Sequence, residues 1–462
     1  MNKMRNLISV LLGLLALAGL AVGLVWLLGP RGALPAQQVS PLRTPTPTRY
    51  VEPTAPSEDW PTLTPLPTRS LPTPHGTPVV KPTPFPTPTP TPLPSLPLPP
   101  IPEGKPPEDL WSILYLPLED ELAVYGVLVD VQGRRWSDPQ VVYDFRKIDP
   151  GPHTCLTQLD VAPTGDWLAV AVAYLESNQT WLLDLASQEP HLVSACKEYQ
   201  ACVVRDWSQD SRVIILQRSG HYQSPSDRPD DFMIVDVASD VATDLRVPDT
   251  TFGRFSVRDV AFSPDGRSIA WTIRNQGHDE MTEVWLTDSK GGQARLLTSE
   301  AGRIWNPAWS PDGSQIAYSL AVGEQRANVQ LLSVESGESV PLVPSPDSFS
   351  NSAWSPDGLQ VAMTQCADVP DESSLADQKC NISVLDRRTG LITPVVVSPG
   401  RVYWDVSWSP DGRLLAFLSA SDKDLQAIWL FSSKTDSSHP ISGYLRPFSE
   451  YVWLPHGFAG GQ

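Results

Sequence analysis

Four copies of one turn recur along this chain: Ser263-Pro264-Asp265-Gly266, Ser310-Pro311-Asp312-Gly313, Ser355-Pro356-Asp357-Gly358 and Ser409-Pro410-Asp411-Gly412. An aromatic precedes each copy (Phe262, Trp309, Trp354, Trp408), and an apolar run such as Ile269-Ala270-Trp271 or Leu415-Ala416-Phe417 follows. Proline presets φ at the first central turn position, aspartate accepts from nearby amides, and glycine takes positive φ, so each copy joins two antiparallel strands. The serines lie 47, 45 and 54 residues apart, the period of one four-stranded propeller blade.

Eroded copies extend the series. Val161-Ala162-Pro163-Thr164-Gly165 precedes Trp167-Leu168-Ala169-Val170, and Trp207-Ser208-Gln209-Asp210-Ser211 precedes Val213-Ile214-Ile215-Leu216. Near the C-terminus, Trp453-Leu454-Pro455-His456-Gly457 keeps the frame with His in place of Asp. At the serine position the anchors are residues 162, 208, 263, 310, 355, 409 and 454. About twenty residues after each anchor a third strand recurs, as in Glu283-Val284-Trp285-Leu286 and Ala427-Ile428-Trp429-Leu430, with alternating β-branched and aromatic residues.

The last anchor leaves Tyr451-Val452-Trp453 as a first strand without its blade, while residues 111–145 supply three strands without a first. Joining them completes one blade from both chain ends and removes the exposed sheet edges. The expected fold is therefore an all-β, seven-bladed propeller over 108–462, with six blades as the alternative.

The residues before it are of a different kind. Of 49 prolines, 26 lie between Pro30 and Pro107. Leu7 to Leu28 is uncharged, and at about 1.5 Å per residue it is long enough to cross a bilayer. Lys3 and Arg5 precede it, so the positive-inside bias leaves residues 1–6 cytoplasmic and places everything after the 7–28 transmembrane helix outside. A cleaved signal peptide ending near Ala33–Ala36 is the competing reading. Residues 29–107 form a Pro/Thr-rich disordered stalk, extended at about 3.1 Å per residue. The net charge is −18, and residues beyond 107 hold 26 basic against 48 acidic side chains. Such a surface repels phosphate backbones and argues against nucleic acid as a partner.

The Trp-Ser-Pro-Asp-Gly repeat resembles that of the TolB-type β-propellers, a Pro-Asp variant of WD-like repeats, over roughly residues 150–457. The resemblance implies a periplasmic or extracellular module that works through binding. The chain departs from that family's six blades in its apparent blade number, and in its stalk. Related repeats occur in prolyl-oligopeptidase-like enzymes, yet no Gly-x-Ser-x-Gly elbow, Walker loop, dinucleotide fingerprint or His-Glu-x-x-His is present.

The five cysteines fit an oxidising compartment: Cys196 with Cys202 and Cys366 with Cys380 would close local loops, leaving Cys155 over. Loops entering the first strands bring arginines and aromatics toward the ring axis: Arg254 and Phe255, Arg303, Ile304 and Trp305, Arg401, Tyr403 and Trp404, and Phe448. As a central mouth, Arg254, Arg303, Trp305, Arg401, Tyr403 and Trp404 would hold an anionic group, a sugar or a peptide terminus. The plainer alternative is that each arginine pairs with a neighbouring carboxylate and each aromatic caps the core. His221 and His278 occupy similar loops beside Asp227, Asp279 and Glu280, but two exposed histidines in acidic loops are the simpler account, and neither a metal nor another cofactor is expected. The expectation is a monomeric, membrane-tethered, non-enzymatic binding or scaffolding module for protein, peptide or glycan ligands at the cell envelope. The alternative is a propeller lyase or hydrolase acting on extracellular carbohydrate or peptide.

Overall fold

The computed structural model describes residues 96–454, apart from 108, 149–150, 152, 175–176, 198, 222–230, 253, 277–280, 322–326, 344–346, 367–379, 398–400, 421–425 and 446–449. The apolar run Leu7–Leu28 and the stalk up to residue 95 lie outside the described residues, among which no helix is long and apolar enough to cross a membrane.

The described chain is built from antiparallel strands in groups of four. β1 (Leu110–Tyr115), β2 (Ala123–Asp130) and β3 (Gln140–Asp144) form a sheet with the final strand β28 (Tyr451–Leu454), in the order β28-β1-β2-β3. Pairing runs from Ser112↔Leu454 to Tyr115↔Tyr451, so the strands from the two ends of the repeat region meet as their complementary deficits require. The second group is β4 (Cys155–Val161), β5 (Trp167–Ala173), β6 (Asn178–Asp184) and β7 (Pro190–Leu192). The third is β8 (Tyr199–Trp207), β9 (Val213–His221), β10 (Asp231–Asp236) and β11 (Val241–Leu245). One parallel bridge, Asn178↔Ala201, joins these two groups into an eight-stranded sheet. Next come β12 (Phe255–Phe262), β13 (Ser268–Asn275), β14 (Met281–Asp288) and β15 (Arg295–Ala301), then β16 (Arg303–Trp309), β17 (Gln315–Ala321), β18 (Asn328–Ser333) and β19 (Ser339–Pro341). The last two groups are β20 (Ser348–Trp354), β21 (Gln360–Cys366), β22 (Cys380–Asp386) and β23 (Ile392–Val397), followed by β24 (Val402–Trp408), β25 (Leu414–Ala420), β26 (Gln426–Ser432) and β27 (Ser437–Pro440).

The repeated turn explains why first and second strands always pair. In all four full copies the serine Oγ donates to the aspartate Oδ1 at 2.6 Å, and the glycine amide donates to the serine carbonyl at 2.8 Å. The glycines sit at φ +68° to +71°, where a Cβ is strained. The eroded copy keeps the backbone bond Gly165 N to Ala162 O without the serine.

Each sheet buries both faces, and the buried clusters run between successive groups. One cluster combines Ala317 and Val329 with Phe349 and Met363; another combines Ala362 and Ile382 with Tyr403 and Phe417. A further cluster joins Leu418 and Ile428 near the C-terminus to Ile113 and Val127 of the first group, so the stack closes on itself. The aromatic ahead of the turn fastens neighbours: Trp354 Nε1 donates to Ala308 O and Trp408 Nε1 to Ala353 O, each at 3.1 Å. The result is an all-β, propeller-like ring.

Candidate functional site

The first strands of the groups face one another around the axis, as bonds between them attest. Gln158 Nε2 of β4 donates to Val204 O of β8 at 2.9 Å, and the Phe262 amide of β12 donates to Asp206 Oδ2 of β8 at 2.6 Å. Asn306 of β16 bonds Asn351 of β20, and Tyr451 Oη of β28 donates to Asp405 O of β24 at 2.6 Å. These strands are bulged. Pairing slips between Val257 and Asp259, Trp305 and Ala308, Ser350 and Ala353, and Trp404 and Ser407. Asn306, Asn351 and Asp405 occupy the bulges at φ +49°, +53° and +53°, a conformation that Asn and Asp tolerate best among residues with a Cβ.

The bulges of β12, β16, β20 and β24 thus carry Asp259, Asn306, Asn351 and Asp405 in successive groups. Going round from β24, the acidic positions are Asp405, Glu450 (just ahead of β28), Asp160 of β4, Asp206 of β8 and Asp259 of β12. Asn306 and Asn351 complete the circuit. The five acids belong to consecutive groups, although Asp160 and Asp206 stand two residues nearer their turns than the others, where Gln158 and Val204 hold the equivalent place.

Enclosure by protein raises every one of these acids. Burial, followed by the charges of Asp206 and Glu450, pushes Asp160 up to about 8. Burial lifts Asp206 to about 7 against the amides of Phe262 and Trp207, with the Asp259 charge adding to the rise. Asp259 stands at about 6 through burial, opposed by the Arg205 guanidinium, and Asp405 at about 6 through burial. Glu450 reaches about 7 through burial and the Asp405 charge, again opposed by Arg205. Asp405 and Glu450 are exposed, whereas Asp160, Asp206 and Asp259 are half-buried, so solvent screening acts more strongly on the first two.

Beside the start of β16, Arg303 and Trp305 line a cavity of about 280 Å³ together with Arg258, Asp259, Thr272, Arg274, Ile304, Asn306 and Pro307. The other expected mouth residues lie apart from it. Arg254 is exposed just ahead of β12, its carbonyl accepting the Gln276 amide at 2.9 Å. Arg401 stacks over Trp429 at 4.6 Å and donates to Ser419 Oγ at 3.4 Å, both within its own sheet. Tyr403 is buried edge-on against Phe417, and Trp404 is half-buried against the cluster that holds Ile113. Phe448 and His278, like most of the acidic loops, lie outside the described residues, as does the side chain of His221. Among the described residues no three His, Cys, Asp or Glu side chains are grouped to hold a metal ion.

Arg258, Arg274 and these acids were not singled out from the sequence. A signal was available: Asp259, Asn306, Asn351, Asp405 and Glu450 each stand four residues before their anchor. Disulfides join Cys196 to Cys202 and Cys366 to Cys380, with Cα–Cα distances of 5.5 and 4.1 Å, and Cys155 is not disulfide-bonded.

Residues 239–455 match the TolB beta propeller domain family. The chain is 34% identical over 74 residues to "Uncharacterized peptidase YuxL" of Bacillus subtilis (strain 168), a match covering 16% of this chain and 11% of that protein. Among solved structures, a prolyl endopeptidase superposes with a TM-score of 0.54 at 14% identity, covering 76% of this chain and 51% of the other. An oligogalacturonate lyase in complex with manganese superposes with a TM-score of 0.50 at 14% identity, covering 72% and 84%. At these identities the superpositions establish the fold alone.

Proposed function

We propose that this chain, a TolB-type β-propeller over residues 239–455, is a binding module that takes an anionic ligand at the mouth of its channel. One observation supports the reading above others: three arginines, Arg258, Arg274 and Arg303, line one cavity with Trp305 against a single carboxylate, Asp259, in a chain of net charge −18. Guanidinium groups recognise carboxylate, sulfate or phosphate oxygens through paired donors, and an indole offers a face for a sugar ring or an apolar side chain. At about 280 Å³ the cavity suits one sugar unit or one peptide side chain rather than a whole ligand. Such a ligand would be held at one end and continue along the rim.

We further infer seven blades. The four-strand groups, with the final strand completing the first, support that count over six. The two disulfides favour an oxidising compartment, and Leu7–Leu28 with the proline-rich stalk favours a propeller tethered outside the membrane.

The test uses the full chain in detergent against arrays of uronate and sulfated glycans, their neutral counterparts, and acidic peptides. The reading expects salt-sensitive capture of one anionic class, lost in an Arg258→Ala/Arg303→Ala variant whose melting temperature is unchanged. Retained capture by that variant would refute the mouth. Turnover of any captured glycan or peptide would replace binding by catalysis.

A further inference from the structure

We propose that Thr282 and Glu283, adjacent on β14, are positioning residues for the arginine-lined cavity: they hold the three segments that line it without lining it themselves. The inference rests on the ligand reading above and deepens it, since it names what fixes the guanidinium groups for an anion.

The cavity takes its walls from three segments: Arg258 and Asp259 on β12, Thr272 and Arg274 on β13, and Arg303 to Pro307 on β16. Two consecutive residues of β14 are tied to all three. Along β13, Ile273 pairs with Glu283 and Arg274 with Thr282. Toward β16, Thr282 Oγ1 donates to Gly302 O at 2.7 Å, one residue before Arg303. Toward β12, the Glu283 carboxylate accepts three bonds. Thr251 Oγ1 donates to Oε1 at 2.6 Å, Thr250 Oγ1 to Oε2 at 2.7 Å and Trp285 Nε1 to Oε2 at 2.8 Å. Thr250 Oγ1 accepts the Phe252 amide at 3.1 Å in turn, so the segment leading into β12 is fastened to β14.

Neither attachment is a surface contact. Thr282 is 0% exposed and Glu283 1%. Burying a carboxylate is costly, and here it is offset by donors on both oxygens, all of them neutral. The entry to β16 has no slack either. At φ +141° a Cβ on Gly302 would lie 2.3 Å from Ala321 O, so the chain is wedged between the end of β17 and the Thr282 hydroxyl.

This carboxylate is a departure from the repeat. Opposite the same second-strand position, the other groups carry Gln179, Asp231, Asn328, Asn381 and Ala427 on their third strands. Asp231 is exposed, and Gln179, Asn328 and Asn381 are half-buried. The buried acid thus falls in the group that supplies Arg258 and Arg274 to the cavity. Guanidinium groups bind an oxyanion through donors in fixed geometry, so holding the backbone that bears them reduces the ordering needed on binding.

The test uses the full chain in detergent with two readouts. In amide hydrogen exchange, Glu283→Leu and Thr250→Val/Thr251→Val should each speed exchange of Phe255–Val257 about fivefold or more, the worth of one lost hydrogen bond. The double variant acts from the loop, where Thr251 is exposed, and so carries less risk to folding than the change in the core. Thr282→Val should act likewise on Arg303–Trp305. Exchange of Leu414–Ala420 in β25 should stay constant in all of them. The second readout is fluorescence anisotropy with a labelled uronate trisaccharide, sulfated trisaccharide and acidic peptide. The probe that wild type binds should be held about fivefold or more weakly by these variants. Thr250→Ser/Thr251→Ser and Thr282→Ser, which keep the hydroxyls, should restore both exchange and affinity. Unchanged exchange in the valine variants would overturn the proposal, as would faster exchange at wild-type affinity. A wild type that binds none of the probes would instead refute the ligand reading, and the positioning role with it.

Discussion

Replacing Ser355 by alanine tests the repeated turn at a site where every bond is defined. Ser355 is 2% exposed; its Oγ donates to Asp357 Oδ1 at 2.6 Å and accepts the Gln360 amide at 2.9 Å. Truncation leaves the Gln360 amide without that acceptor, at about 1–3 kcal/mol for an unmade bond in a half-buried setting. The bond to the exposed Asp357 adds at most about 1 kcal/mol, since water competes for that carboxylate. The expected cost at pH 7 is therefore about 2 kcal/mol. The variant should still fold, because Ala162 stands in the same place in a turn that keeps Gly165 N to Ala162 O at 2.8 Å.

The two contributions separate with pH. Asp357 is held below the ordinary carboxylate value, first by the Ser355 hydroxyl and then by the Leu359 amide. A lowered acid contributes stability above its ordinary value and loses it as pH falls through its folded value. Urea unfolding of wild type and variant at pH 7 and pH 3 should thus give a smaller difference in acid, with the amide portion remaining. A difference below about 0.5 kcal/mol at pH 7, within the range of neutral surface substitutions, would refute the assignment, as would a penalty that grows in acid.

Other consequences follow from the same geometry. Trp408→Phe removes the Nε1 bond to Ala353 O and part of the wedge between two sheets, and should cost about 2 kcal/mol in urea unfolding. Gly302→Ala should be far worse, at about 3 kcal/mol or more, or should fail to express folded, because at φ +141° its Cβ would lie 2.3 Å from Ala321 O. Cys366→Ala/Cys380→Ala opens the bond between the facing ends of β21 and β22, and should lower stability by about 3 kcal/mol by chain entropy, read as an earlier urea midpoint. Salt should weaken capture of an anionic glycan or peptide by wild type and leave the Arg258→Ala/Arg303→Ala variant at background.

Local chemistry was open to inspection in the sequence because its partners lie close together in it. The turn's bonds are made within five residues, from Ser355 to Gln360, and so recur wherever the residues recur. The shared deficit of the chain ends could likewise be counted, and β28 pairs with β1. The mouth was harder. An arginine at a first-strand start looks alike in each repeat, yet Arg401 stacks on Trp429 of the third strand in its own sheet, whereas Arg303, whose third strand carries Gln330 at the matching place, lines a cavity.

The sequence by itself determined the repeating unit, its antiparallel hairpins and the union of first and last strands, since hydrogen bonding within a turn and burial along a strand are short-range effects. Tertiary structure alone decided that Asp405, Glu450, Asp160, Asp206 and Asp259 act on one another from group to group. Residues 405 and 160 are far apart along the chain and become electrostatic neighbours of Glu450 only when the ring closes. Charge acts through space across that closure, and no spacing within a single repeat encodes it.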